Sequence, residues 1–372
     1  MCDCDFLKCA PCVSAFEGYY EIMILTKGIG MALVEVGDKV YRETRSGVHT
    51  AESDFFKIRV PQATLDAAKE YTVVFRASKG KKSYFTEFCE HKSVRFDFRP
   101  VEKAEGVKIY HVADVHYNFE NAKKTVDYFG DELDLFVING DIAEAQEVEN
   151  YHDELIFLGE IGKGKVPMVF ARGNHDTRGR LAERYTDFLP NVNGNTYFTF
   201  TVGALRGICL DCGEDKVDNG PEYDNTKDVP EKYRGLNSFH PFRLEQADFL
   251  KALADKGEKF DFAVTHICPN MTTKNPGGQF DIGREVYTDW TRDLERLGIK
   301  FMLCGHFHTA FILDKDDGRN IIPHTYPVIV ASAVTPEDFV GGALTYHSDR
   351  LDVAFTNSKH EILEEHTINL DN

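Results

Sequence analysis

Five short apolar runs in the second part of the chain each end in residues able to hold a metal ion. That coincidence constrains the fold more than any other feature. Val107 to Val112 is followed by Asp114-Val115-His116, and Leu133 to Ile138 by Gly140-Asp141. Val166 to Phe170 is followed by Gly173-Asn174-His175-Asp176. Phe260 to Val264 precedes His266, and Lys300 to Cys304 precedes Gly305-His306-Phe307-His308. Short apolar runs bounded by turn signals read as strands buried on both faces. Helical spacing over Asn121 to Phe129, Val148 to Glu160, Pro241 to Lys256 and Val286 to Leu297 falls between them. Alternating strand and helix predicts an α/β unit with parallel crossovers. The carboxyl ends of parallel strands form the binding crevice of such sheets, so five separate segments would deliver ligands to one edge.

Residues 17–100 have a different rhythm. Short runs rich in β-branched and aromatic residues, such as Tyr19 to Leu25, Met31 to Val36, Phe55 to Val60, Tyr71 to Arg76 and Val94 to Phe98, are separated by turn residues. That spacing predicts a small β-sandwich of about seven strands. The expected organisation is a Cys-containing segment over 1–16, a β-sandwich over 17–100, a polar linker over 101–106 and the α/β domain over 107–372. The last 60 or so residues add further strands. Residues 212–240 form an acidic, Gly/Pro/Asn-marked stretch, long enough to suggest a lid or rim.

The net charge is −18. Fifteen basic and fourteen acidic residues fall within the first hundred, leaving 28 and 47, so the remainder carries −19. Such a surface repels polyanions, which makes a nucleic acid polymer an unlikely partner. An anionic substrate would need local positive charge, and bound metal supplies it. No run of 18 apolar residues occurs, so no membrane-spanning helix is expected. The start, MCDCDFLKCAPC, reads as no signal peptide, and nine cysteines without an export signal suit reduced thiols and a cytoplasmic location.

The order Asp-x-His, Gly-Asp, Gly-Asn-His-Asp, His, Gly-His-x-His resembles the calcineurin-like metallophosphoesterase superfamily, over residues 107–372. The preceding sandwich resembles the arrangement of purple acid phosphatases and their bacterial relatives. The resemblance implies a four-layer α/β/β/α sandwich preceded by a fibronectin-III-like β-sandwich domain. It also implies two divalent metal ions (Mn²⁺, Fe²⁺ or Zn²⁺). One would take Asp114, His116, Asp141 and His308. The other would take Asp141, Asn174, His266 and His306, with Asp141 shared. The implied activity is hydrolysis of a small phosphomonoester or phosphodiester by a metal-bridging hydroxide. His175 would contact the phosphoryl group and protonate the leaving oxygen, Asp176 would orient His175, and Asn174 would help bind substrate.

The chain departs from the purple enzymes at two positions. They carry Asp-x-Gly where this chain has Asp114-Val115-His116, and Gly-Asp-x-x-Tyr where it has Glu144 at the Tyr position. No purple ferric centre is therefore expected, and His in place of tyrosinate suits divalent ions. The Gly-Asp-x-Val-Asp-Arg-Gly motif of Ser/Thr protein phosphatases is missing, so phosphoprotein is not the leading substrate. Alternatives are a non-catalytic binding module with a vestigial metal site, and a nuclease.

Arg172, Arg178 and Arg180 surround the Gly-Asn-His-Asp motif, and Arg178 is the first choice to fork onto substrate phosphate. Surface ion pairing is the competing reading. His240 and Tyr223 are rim candidates. Cys2, Cys4, Cys9 and Cys12 could frame a zinc or iron–sulfur site, but a frayed terminus with reduced thiols is the preferred reading. Cys209 and Cys212 read as structural, and Trp290 as packing its helix on the sheet.

Overall fold

The computed structural model describes residues 5–81, 84–143, 147–218, 237–271 and 282–370. Cys2, Cys4, Glu144 and Tyr223 lie outside the described residues.

Two sheets face one another. In the first, Val107–Val112, Leu135–Asn139 and Pro167–Ala171 run parallel in chain order, and Phe339–Tyr346 lies antiparallel against Val107–Val112. Arg350–Asn357 and Ile362–Asn369 extend that edge as a meander. In the second, Leu205–Cys209, Phe262–Val264, Phe301–Cys304 and Val328–Val330 run parallel, flanked by antiparallel Phe198–Val202 and Phe311–Leu313.

Period-2 alternation along each strand sorts side chains into two cores. Ile109, Val137 and Val169 point into the space between the sheets, where they meet Phe262, Val264 and Leu303. Their neighbours Tyr110, Phe136 and Met168 point outward and are covered by Tyr151, Leu155 and Leu158 of helix Val148–Gly162. On the far side, Ile208, Ala263 and Met302 are covered by Val286, Trp290 and Leu294 of helix Arg284–Leu297. The result is helix, sheet, sheet, helix, in four layers. Trp290 is buried against the sheet as its sequence position suggests, and its Nε1 donates to the Arg243 carbonyl at 3.1 Å. No helix among the described residues is long and apolar enough to cross a membrane.

The N-terminal part is joined to the first sheet by hydrogen bonds. Cys12–Ala15 lies parallel to Pro167–Ala171 on one side and antiparallel to Tyr19–Val36 on the other. This corrects the expectation of a frayed terminus at Cys9 and Cys12. Cys12 is buried, Cys9 is half-buried, and both thiols donate to the Leu155 carbonyl, at 3.4 and 3.5 Å. Burial, then Glu160, pushes the Cys9 thiol up to about 12, an environment for inert rather than reactive sulfur. Helix Val148–Gly162 admits the segment through Gly159, where a Cβ would stand 2.3 Å from the Ala10 carbonyl.

The expected strands Tyr19 to Leu25 and Met31 to Val36 are one strand, Tyr19–Val36, with an irregularity between Leu25 and Gly30. Its first half pairs with Ser53–Pro61 and its second half with Glu70–Lys81. The change of partner folds these layers over a shared core, and Phe56 meets Phe75 across it at 6.4 Å between ring centroids. Lys57 bolts this part to the other: its Nζ donates to the carbonyls of Leu189 (2.6 Å) and Thr186 (3.2 Å) and sits 3.3 Å from the Glu21 carboxylate.

Candidate metal centre

The carboxyl ends of both sheets meet at one edge, and the five ligand groups meet there too. Asp114 and His116 follow Val107–Val112, Asp141 follows Leu135–Asn139, and Asn174 and His175 follow Pro167–Ala171. His266, His306 and His308 arrive from the facing sheet. The turns interlock: Asp114 N–H donates to the Gly140 carbonyl at 3.0 Å, and His116 N–H to the Asp141 carbonyl at 3.1 Å. Gly305 N–H donates to the His266 carbonyl at 2.8 Å.

Backbone strain concentrates here. Asp114, His116, Asp141, His306 and His308 have φ of 53°, 44°, 56°, 75° and 51°. Left-handed backbone costs a non-glycine residue roughly 1–2 kcal/mol and persists where the surroundings over-determine it. The gain is side chains turned inward at consecutive turns.

Ligand atoms lie close together. His266 Nε2 is 3.2 Å from Asp141 Oδ2 and 3.7 Å from Asp114 Oδ1. His308 Nε2 is 3.4 Å from Asp114 Oδ1 and 3.1 Å from His116 Nε2. His116 Nε2 is 3.9 Å from Asp141 Oδ2. Asp114/His116/His308 and Asp141/His266/His306 each form a compact trio of possible ligands, with a third at His116/Asp141/His175. Asp114, Asp141, Asn174 and His266 form a buried floor, while His116, His306 and His308 rise to a partly exposed mouth.

Three observations test whether these residues suit metal ions. Asp114 Oδ1 is buried without a hydrogen-bond partner, whereas Oδ2 accepts from His306 N–H (2.8 Å) and Ser332 Oγ (2.6 Å). His266 Nδ1 donates to the Asn139 carbonyl at 2.5 Å, which turns Nε2 toward the carboxylates, the usual device that orients a ligating histidine. One end of the Asn174 amide faces Asp141 Oδ2 (3.3 Å), His266 Nε2 (3.2 Å) and His306 Nδ1 (3.0 Å), and the other lies 3.0 Å from Arg178 Nη2. With its oxygen inward, the amide completes a ring of lone-pair donors that a cation would hold together. The residues fit divalent metal.

The protein alone already answers this crowding of charge. Burial would push His266 down, but Asp141 and Asp114 hold it up, to about 10. His306 goes to about 4, through burial and then the neighbouring His266. Burial, then Asp141, raises Asp176 to about 7. Asp176 accepts Asp141 N–H (3.0 Å) and Gly173 N–H (2.7 Å). Those bonds tie it to the two motif backbones.

His175 N–H donates to Asp141 Oδ1 at 2.7 Å, and its ring Nε2 stands 4.0 Å from Asp141 Oδ2 and 2.9 Å from Arg178 Nη1. Arg178 therefore reaches the site. Arg172 does not: it pairs with buried Asp211 at 2.7 Å and stacks on Tyr185. Arg180 pairs with Glu147 at the surface. His240 is exposed and lines a cavity with Arg243 and Gly283. Cys209 and Cys212 are buried, with Cys212 Sγ 3.0 Å from Thr265 Oγ1.

Sequence reading passed over Ser332, Asn139, Glu214 and Asp215. Asn139 Nδ2 lies 3.1 Å from the Thr265 and Leu303 carbonyls and so links the two sheets beneath the site. A polar residue ending an otherwise apolar run, directly before Gly140-Asp141, was its signal in the sequence.

The calcineurin-like phosphoesterase family profile matches residues 107–310. The chain belongs to this family. It is thus a metal-dependent phosphoester hydrolase, and the family's divalent metals match the His/Asp clusters. A search of curated proteins finds no match. Among solved structures, the chain resembles purple acid phosphatase PPD1 from yellow lupin (Lupinus luteus) seeds, at 13% identity and a TM-score of 0.60, over 98% of this chain and 75% of that one. It also resembles PhoD, at 12% identity and a TM-score of 0.58, over 99% of this chain and 90% of that one. At such identities the likeness is one of fold, N-terminal β-rich part included.

Proposed function

We propose that this phosphoesterase hydrolyses a small phosphomonoester or phosphodiester at a dinuclear centre. Asp114, His116, Asp141 and His308 would hold one divalent ion, and Asp141, Asn174, His266 and His306 the other. The observation that carries the reading is the ring of lone-pair donors around Asp141, gathered from the carboxyl ends of both sheets. Divalent ions in such a site polarise the phosphoryl oxygen and lower the pKa of water. Asp141 has two carboxylate oxygens and suits the shared position. His175 Nε2 faces the site and accepts from Arg178 Nη1; with that guanidinium drawn onto a phosphoryl oxygen, a protonated His175 would hand its Nε2 proton to the leaving oxygen. Arg178 Nη1, beside it, would meet a phosphoryl oxygen. Mn²⁺, Fe²⁺ and Zn²⁺ all suit mixed His, carboxylate and amide donors.

The test is turnover of p-nitrophenyl phosphate and bis-p-nitrophenyl phosphate by Mn²⁺-loaded protein, with His175→Asn alongside. Turnover of either ester, falling about 10²–10⁴-fold in the variant with metal content unchanged, is expected. Loss of metal in the variant would make His175 a ligand, and no turnover of either ester would reject the reading.

A further inference from the structure

We infer that Glu214 is a positioning residue of this site, holding Arg178 so that one guanidinium nitrogen stays aimed at the phosphoryl position beside His175. This rests on the phosphoesterase reading and adds a residue that binds substrate only through another.

The geometry is a closed fork. Arg178 Nε donates to Glu214 Oε2 at 2.8 Å and Nη2 to Oε1 at 2.6 Å. Nη2 also donates to Asp215 Oδ1 at 3.1 Å. Nη2 also stands 3.0 Å from the Asn174 amide, while Nη1 lies 2.9 Å from His175 Nε2. The Glu214 side chain is 1% exposed and that of Arg178 16%, so the fork is largely shielded from water. Lys216 Nζ, 3.5 Å from Glu214, joins Arg178, Glu214 and Asp215 in a cluster of two cations and two anions.

Glu214 is held in turn. Arg243, 1% exposed on helix Phe239–Asp255, donates from Nη2 to the Glu214 carbonyl (2.6 Å), from Nε to the Cys212 carbonyl (2.8 Å) and from Nη1 to the Ile282 carbonyl (2.9 Å). Four residues on, Asp218 accepts the N–H groups of Phe239 and His240 at the start of that helix. The chain from Cys212 to Asp218, where the acidic rim was expected, is pinned at both ends. An arginine on a flexible loop loses rotamer freedom on gripping a ligand, whereas one already locked by a buried carboxylate has lost it in advance.

The experiment measures binding of inorganic phosphate to Mn²⁺-loaded full-length protein by calorimetry, and p-nitrophenyl phosphate kinetics, for wild type, Glu214→Gln, Arg178→Ala and the double variant. Each single variant should weaken phosphate binding at least tenfold with metal content unchanged. The double variant should be no weaker than Arg178→Ala. In Glu214→Gln the loss should fall on KM more than on kcat. Added guanidinium ion should restore phosphate binding to Arg178→Ala but not to the double variant, because its carboxylate anchor is gone. If Glu214→Gln fails to fold, Glu214→Asp keeps the charge with a shorter reach and should weaken binding by a smaller factor. Wild-type phosphate binding in the Glu214 variants, additive effects, or equal guanidinium rescue in both backgrounds overturns the inference while leaving the phosphoesterase reading intact. A wild-type protein that binds no phosphate and turns over neither ester overturns both.

Discussion

Gly173→Ala should disable the site while sparing the fold. A Cβ on Gly173 would stand 2.2 Å from Asp141 Oδ1 and 2.4 Å from the Asp141 nitrogen. Ordinary contact for those atoms is about 3.4 Å, so something must move by about 1 Å. The backbone nitrogen cannot yield cheaply, because it donates to buried Asp176 at 3.0 Å. The Asp141 carboxylate is what yields, and it is the proposed shared ligand. Overpacking of this size costs roughly 1–3 kcal/mol of stability. A misplacement of about 1 Å at a reacting centre costs on the order of 10²-fold in rate. The assay combines thermal unfolding, metal content by mass spectrometry and p-nitrophenyl ester turnover. A cooperative melt lowered by a few degrees, with metal reduced and turnover down about 100-fold or more, is expected. Wild-type metal content and turnover would refute the argument that glycine is kept there for the Asp141 carboxylate.

Other consequences follow from buried groups away from the site. Lys57→Ala removes a partner of the buried Glu21 carboxylate and two donors to the carbonyls of Thr186 and Leu189. Glu21 keeps Arg59 at 3.1 Å, so a loss of about 2–3 kcal/mol in denaturant unfolding is expected, and a change below about 0.5 kcal/mol would remove Lys57 as a tie between the two parts. Glu154 is buried with Oε1 unpartnered, and burial, then Asp176, raises its pKa well above the ordinary value. A raised carboxyl favours the folded state at pH below the unfolded value of about 4.3, and that advantage is lost as pH rises through the folded value. Glu154→Gln should therefore raise the melting temperature at pH 8 and much less at pH 4.5; equal shifts at both would count against it. Cys12, Cys209, Cys212, Cys268 and Cys304 are buried, so a thiol reagent should label them only after denaturant is added, and prompt labelling of all five in the native protein would contradict their placement.

What the sequence disclosed follows from which interactions are local. Strands buried on both faces must be apolar throughout, so Leu135 to Ile138 and Phe301 to Cys304 stood out, and so did the polar groups that follow them. The positive φ values at Asp114 and Asp141 explain why short Asp-x-His and Gly-Asp signatures recur at turns, since Asp and His tolerate that backbone better than branched residues. Contacts between distant segments left no local mark. Ser332 reaches Asp114 across 218 positions, and Glu214 reaches Arg178 across 36. Residues 9–15 looked like a loose end because four strand residues after a proline are too few to show a period. Their burial comes from the slot between Pro167–Ala171 and Tyr19–Val36, which only the assembled sheet creates.

The most direct test of the central claim is the metal stoichiometry of Mn²⁺-reconstituted wild type and Asp141→Asn, measured with turnover of both p-nitrophenyl esters. The account predicts about two ions per wild-type chain, turnover abolished by chelation and restored by metal, and weakened binding of both ions in the variant with the fold unchanged. Wild type that binds no metal after reconstitution, or an Asp141→Asn variant that keeps both ions and full turnover, would contradict it.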